Sequence, residues 1–393
     1  MPVVNEDHGR LIRLDALYDD PYPTYFELRG RPVAYVPEAG RYLVARHADV
    51  MYVEQHPEIF SSAEEDSLIT RVMGSTLLRK DGCPHMRERK AAEPALRPRV
   101  VRNHWKPVFQ QISDELIDGF ADRGEADLFV DYAGPMAALS LAAMLGFRGV
   151  SADDMQRWSQ TMMDGIGNYA DDPGVWERAE RSAAEVGAAV DETMERVREA
   201  PDESIVSAML RGEDPIDVET VKSNVRVIIG GGINEPRDAV LTAIYGLLDN
   251  PDQLAEVRAD EKLCAAAFEE AVRWVSPIGM YPRQTTRETE LGGTLLPKGA
   301  RLGVLIGSAN RDEAVFEDPD RFDIRRGSRP HIGFGGGPHY CLGTWAARAQ
   351  VGEVSLPNLI RRLPNLRPVG GTETRWGGWV FRGPLNLAVR WDV

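Results

Sequence analysis

Apolar residues in this chain recur mostly at helical spacing. From Pro107 onward, Val108, Ile112, Leu116 and Phe120 return every four residues with charges between them, which predicts an amphipathic helix. Pro135 to Leu145 is almost entirely small and apolar and predicts a buried helix. Asp172-Pro173 opens a charged helix running to about Ala200, with Asp as N-cap and Pro in the first turn. Lys262 to Trp274 reads as a further helix carrying Glu269, Glu270 and Arg273. Strand-like patterns are fewer. Pro32 to Val36 and Tyr42 to Val44, split by Glu38-Ala39-Gly40, predict a hairpin. Gln284 to Glu290 and Leu295-Leu296 predict short strands around Gly292-Gly293. Asn310 to Pro330 is rich in Asp, Arg and Pro with little periodicity, the mark of a long functional loop.

The longest helical candidate runs from Pro215 to Asn250, capped by Asp217 and ended by Asn250-Pro251. Its interior reads Gly230-Gly231-Gly232-Ile233-Asn234-Glu235-Pro236. By propensity alone each Gly costs roughly 1 kcal/mol and the Pro about 3 kcal/mol. The segment is therefore either a kinked or broken core helix, or a helix opened so that a flat ligand can approach its backbone. No repeat, low-complexity tract or Gly/Ser/Pro-rich linker divides the chain, so residues 1–393 read as one domain.

Composition narrows the function. Forty-six basic residues against sixty-one acidic ones give a net charge of -15, which argues against a general binder of nucleic acid or anionic membranes. The three cysteines, Cys83, Cys264 and Cys341, are far apart and form no CxxC pair. That excludes a disulfide framework and points to a reducing compartment. No stretch reaches 18 uncharged apolar residues, and Met1 to His8 has no basic segment followed by an apolar run. A soluble cytoplasmic protein is expected.

The segment that carries chemistry is Phe334-Gly335-Gly336-Gly337-Pro338-His339-Tyr340-Cys341-Leu342-Gly343, with a helix expected to start just after it. Glycines allow tight turns, and a helix N-terminus favours a thiolate. One cysteine without a nearby second ligand does not make a closed zinc site. Axial ligation of a haem iron needs a single Cys.

Phe334-Gly335-x-Gly337-x-His339-x-Cys341-x-Gly343 resembles the haem-binding loop of the cytochrome P450 superfamily at every fixed position. The resemblance runs from Tyr18 to the C-terminus and implies a mainly α fold with a smaller β region. It implies haem b as cofactor, with Cys341 as the axial ligand and Phe334, Gly335, His339 and Gly343 around it. Glu270-Ala271-Val272-Arg273 is similar to the family's E-x-x-R helix, which implies a buried triad closed by Arg321 of Pro319-Asp320-Arg321-Phe322. His85 and Arg89, spaced H-x-x-x-R, together with Arg283 and His331, match positions that hold the haem propionates.

The family usually carries A-G-x-[DE]-T in the long helix, where acid and alcohol relay protons to oxygen. Here Asn234 stands at the acid position and Glu235 at the alcohol position. Either the relay is degraded, as in a slow or sensor-like relative, or Glu235 donates. A carboxyl desolvated beside haem and an apolar substrate would stay protonated near neutral pH. The Glu235-Pro236 pair and Trp376-Gly377-Gly378-Trp379-Val380-Phe381-Arg382-Gly383-Pro384 resemble the actinobacterial O-demethylases of guaiacol and alkylguaiacols. That resemblance implies Val227, Gly231, Ile278 and Phe381 around an aromatic ring, with Ile166 where the guaiacol enzymes carry an aromatic residue. The segment Ser61 to Gly82 adds Leu68, Ile69, Val72, Met73, Leu77 and Leu78 as core plugs or substrate contacts, and Arg71 as its obvious carboxylate anchor.

The expected reaction is oxygen-dependent demethylation of a small methoxylated aromatic to a catechol and formaldehyde. Hydroxylation of a terpenoid, macrolide or amine, or a haem sensor without turnover, are the alternatives. No flavin or iron–sulfur motif is present, so a separate NAD(P)H-dependent reductase or ferredoxin is implied. Arg87, Arg97, Arg99, Arg102 and Arg348 could offer it a basic patch.

Overall fold

A computed structural model describes residue 9 and residues 11–64, 66–168, 170–212, 214–327 and 330–393. The opening Met1 to His8 lies outside the described residues. Backbone contacts resolve two compact units woven from separated stretches, although no linker composition marks the boundary. One unit takes the chain up to Glu64, then Leu241–Cys341 and Gly371–Leu387; the other takes Glu65–Val240, Leu342–Gly370 and Ala388–Val393.

The first unit holds most of the β structure. Its five-stranded sheet runs in the order Ala34–Val36, Arg41–Val44, Arg301–Leu305, Met280–Thr285, Phe60–Ser61. The first pair is the expected hairpin, closed by Gly40 in the left-handed region at φ 62°. Arg41–Val44 then pairs in parallel with Arg301–Leu305, so residues far apart in sequence share one sheet. Strands Thr289–Leu291 and Thr294–Leu296 form a second hairpin over Gly292 and Gly293, both at positive φ. That is the backbone a two-residue turn of matching twist requires. Val44, Val50, Val53, Phe60, Leu302 and Val304 pack into the core on one side of this unit. The helix Leu263–Trp274 buries Ala267, Phe268, Glu270 and Arg273.

The second unit is mainly helical, with one small sheet of Glu125–Asp127, Ala388–Arg390 and Arg367–Pro368. Helix Lys106–Asp118 covers Val108, Ile112 and Leu116 of the four-residue repeat, while Phe120 lies in the turn beyond its end. Gly134–Leu145 is buried along nearly its whole length, as its composition requires. Pro173–Glu199 starts where the cap signal places it, with Asp172 Oδ1 accepting the backbone N–H of Gly174 at 2.7 Å and of Val175 at 3.2 Å. The segment Ser61 to Gly82 is more ordered than a plain loop: Leu68–Met73 is helical and Leu77–Arg79 forms a 3₁₀ turn. Val72 and Met73 are buried core plugs, whereas Leu78 is exposed.

The long helix spans Val218–Asp249 without interruption, so of the alternatives the break into two helices is the one not seen. Asp217 caps it through Thr220 N–H at 3.0 Å. Tertiary packing accounts for two of its glycines. A Cβ on Gly230 would lie 2.9 Å from Met73 Cε, and one on Gly232 would lie 3.0 Å from Leu141 Cδ2. Close packing against neighbouring elements thus compensates the propensity cost. Among the described residues no helix is long and apolar enough to cross a membrane.

Candidate functional site

The cysteine loop is a tight turn built from backbone. Gly335 sits at φ 85°, its N–H bonds to Ile332 O at 2.9 Å, and Cys341 N–H returns to Phe334 O at 2.7 Å. Cys341 is exposed at the loop's end, and the helical run that follows begins at Thr344 with Gly343 as N-cap. Cys264, by contrast, is buried in an apolar setting that pushes its thiol up to about 12. Phe334 packs in a ring cluster, with centroids 6.2 Å from Phe268, 5.7 Å from His331 and 6.4 Å from Tyr340. His339 Nε2 lies 3.1 Å from Ser62 Oγ.

The loop before it is pinned by Glu270 and Arg273. Their pairing is bidentate, Nε to Oε2 at 2.7 Å and Nη2 to Oε1 at 2.8 Å, with both side chains buried. Arg273 also donates to the carbonyls of Asn310 and Pro319, each at 2.9 Å, and of Arg321 at 3.1 Å. The third side chain is not that of Arg321, which is exposed and contributes only its carbonyl. Arg326 takes the place, Nε to Glu270 Oε1 at 3.2 Å, and its Nη2 donates to Arg321 O at 2.8 Å. The irregular stretch carries several arginines close together, and only its folded path selects which one turns inward.

The expected propionate partners have different surroundings. His331 is committed at both ring nitrogens: Nδ1 accepts Gly333 N–H at 3.1 Å, so Nε2 carries the proton and faces Glu269 Oε2 at 3.0 Å. It links the loop to Glu269 on the helix Leu263–Trp274. Arg283 is buried and donates through Nη2 to Glu54 Oε1 at 2.9 Å. Glu54 belongs to no loop motif and escaped the sequence reading. His85 is buried and Arg89 half-buried, four residues apart and therefore on one face of Gly82–Ala92. This helix is tied down by Glu88, which accepts Asn224 Nδ2 at 2.9 Å and pairs with Lys80; Asn224 Oδ1 accepts Leu77 N–H at 2.8 Å.

On the long helix, Val227, Gly231 and Glu235 are spaced four apart and share an accessible face, whereas Val225, Ile229 and Ile233 are buried. Gly231 is exposed, and a Cβ there would meet Glu235 Oε1 at 3.6 Å. Both Glu235 carboxylate oxygens are shielded and lack a hydrogen-bond partner, so what exposure the residue keeps lies on its stem and backbone. Burial pushes its carboxyl up to about 8, with the charge of Asp238 adding to the effect. Asn234 turns away, its Nδ2 3.4 Å from Ser159 Oγ. Ile166 ends the helix Ala152–Ile166. In the other unit, Ile278 and Phe381 face each other in an antiparallel bridge, followed by Gly279 N–H to Val380 O at 2.9 Å. Tyr281, next to Met280, lies under Arg283, whose guanidinium carbon is 4.6 Å from the ring centroid. Arg71 stacks on Trp176 at 3.6 Å and pairs with Asp171 at 3.3 Å.

A glycine-turned loop ending in an exposed thiol, braced by a buried Glu–Arg pair, defines a haem-thiolate protein. The Cytochrome P450 family model matches residues 42–363. The chain belongs to the cytochrome P450 family. It is 31% identical over 400 residues to mycinamicin IV hydroxylase/epoxidase of Micromonospora griseorubida, covering 98% of this chain and 97% of that one. It is 30% identical over 329 residues to a steroid C26-monooxygenase of Mycolicibacterium smegmatis, covering 81% and 79%. The crystal structure of CalO2 superposes with a TM-score of 0.88 at 28% identity, covering 99% of both chains. The protein is thus a monooxygenase, an oxidoreductase that uses haem iron.

The residues present fit that group. In the first unit Cys341 offers an accessible thiol. Arg283, in the same unit, is a buried guanidinium of the kind that meets carboxylates. Haem, when bound, would supply the chemistry of oxygen activation, and Cys341 is the residue that would hold it. The loop's part is to fix the sulfur, the Glu270–Arg273 pair fixes the loop, and Glu235 holds a proton on its carboxyl at neutral pH.

Proposed function

We propose that this monooxygenase demethylates a small, uncharged methoxylated aromatic of the guaiacol or alkylguaiacol type. One oxygen atom of O2 enters the methoxy C–H bond, and the other leaves as water after taking up two electrons and two protons. The hemiacetal then breaks its C–O bond to give a catechol and formaldehyde. The electrons come from a separate NAD(P)H-dependent reductase or ferredoxin, and Glu235 with Cys341 act as proton donor and axial ligand. Of the arginines offered as its docking patch, Arg87 is turned to Asp214 at 2.7 Å, Arg97 to Glu93 at 3.9 Å, and Arg348 stacks on Trp345 at 5.5 Å.

The observation that carries the reading is the environment of Glu235, a carboxyl kept protonated by burial on the helix face it shares with Val227 and Gly231. It can donate to oxygen without setting a negative charge against an apolar ring. Arg71 points the same way: its guanidinium is already taken by Asp171 and Trp176, so a benzoate would have to displace that pairing. The rival reading, hydroxylation of a larger hydrophobic substrate, is favoured by the mycinamicin IV hydroxylase and the steroid C26-monooxygenase among the relatives.

Spectral titration of the ferric protein separates the two. Guaiacols should displace the iron-bound water and shift the spin state at micromolar concentration, and methoxybenzoates should not. A shift with steroids, macrolides or 4-methoxybenzoate and none with any guaiacol would overturn the proposal. Formaldehyde formed per NADH then measures demethylation directly.

A further inference from the structure

Glu54 lies in the last turn of the helix His47–Gln55 and is 4% exposed. A carboxylate so enclosed is costly unless it is paired and hydrogen-bonded. Its two oxygens face two different parts of the haem-loop region. Oε1 accepts Arg283 Nη2 at 2.9 Å, and Oε2 stands 3.5 Å from the backbone N–H of Gly336. The same Oε2 lies 3.5 Å from the place a Cβ on Gly335 would take, and the Glu54 carbonyl lies 1.9 Å from a Cβ on Gly337. Three successive glycines of the loop therefore press on this one residue. On the other side, Tyr281 lies under the Arg283 guanidinium, and burial together with the Glu54 charge raises its phenol far above the usual range.

We propose that Glu54 is a positioning residue of the haem centre. One edge of its carboxylate holds Arg283, the cation that the family pattern sets against a haem propionate. The other edge holds the turn Gly335–Gly337 that leads into Cys341. A single buried carboxylate thereby couples the propionate side of the centre to the loop carrying the sulfur. It also balances Arg283, so the centre keeps one more negative charge than the arginine alone would leave. A negative charge nearby favours the ferric over the ferrous state and lowers the reduction potential.

The test uses Glu54→Gln in the haem-loaded protein, which keeps the shape and removes the charge. Loss of haem to an excess of apo-myoglobin should be on the order of 10–100-fold faster, the usual effect of removing an outer-shell partner. The reduction potential should move upward, and part of the reduced carbonyl band should leave the thiolate position. A merely structural salt bridge would change thermal stability without moving the potential. If Glu54→Gln folds poorly, the double variant Glu54→Gln with Arg283→Gln removes the unpaired buried charge, and the same faster haem loss is expected of it. Wild-type haem retention in either folded variant, or a wild-type potential in Glu54→Gln, would overturn the proposal.

Discussion

The carboxyl of Glu235 reaches back along its own helix toward Gly231, with Oε1 3.6 Å from the position a Cβ on that glycine would occupy. The proton-holding group and the bare stretch of helix backbone are thus neighbours, one turn apart. The position that carries an alcohol in most of the family carries here an acid whose buried oxygens find no hydrogen-bond partner among the described residues.

Glu235→Gln keeps size and removes the proton. General acids contribute about 10²–10⁴-fold to rate, so NADH-driven product formation should fall within that range, with more peroxide per NADH and nearly unchanged substrate affinity. The pH dependence follows from a carboxyl pushed up to about 8 by burial. Product formation should decline as pH rises through about 8, because the donor loses its proton. Between the ordinary carboxylate range and about 8 the folded protein holds a proton that the unfolded chain has released, so stability falls as pH rises through this window. In Glu235→Gln that slope should flatten, as thermal melts from pH 5 to 9 would show.

Glu270→Ala strands the buried Arg273 and should cost roughly 3–5 kcal/mol, seen as little soluble haem-loaded protein. Arg326→Ala should lower the melting temperature measurably, since its guanidinium reaches Glu270. Arg321→Ala should be nearly neutral, because its backbone N–H and carbonyl make its bonds and a substitution keeps both. Equal losses for the two arginines would reverse the assignment.

Gly337→Ala places a methyl 1.9 Å from the Glu54 carbonyl, a clash that only backbone movement relieves. Overpacking of this kind costs about 1–3 kcal/mol. The variant should lose haem faster than wild type in the same transfer assay. Gly370→Ala, where the Cβ meets nothing within 4 Å and the backbone, as at Gly337, is not left-handed, is the control.

Cys341→Ser should abolish the reduced carbonyl band near about 450 nm, because a serine oxygen cannot replace the thiolate donor. Cys264→Ser, at a thiol that burial keeps protonated, should leave the band in place.

By itself the sequence determined the features that depend on near neighbours. Asp172-Pro173 sets the start of Pro173–Glu199 because a cap needs only its own first turn. Gly292-Gly293 makes the hairpin because only backbone conformation is at stake. The cysteine loop was legible for the same reason, its bonds from Gly335 to Ile332 and from Cys341 to Phe334 closing within ten residues. Tertiary structure alone decided the pairings between distant residues. Arg326 rather than Arg321 reaches Glu270 because the path of the irregular loop selects the inward side chain. His331 turns to Glu269, and Glu54 meets Arg283 across 229 positions of sequence. The long helix stays whole through Gly230 and Gly232 because Met73 and Leu141 occupy the space their side chains would need. Such partners are chosen by packing and desolvation, which act on whatever the fold brings together and leave no mark at short range along the chain.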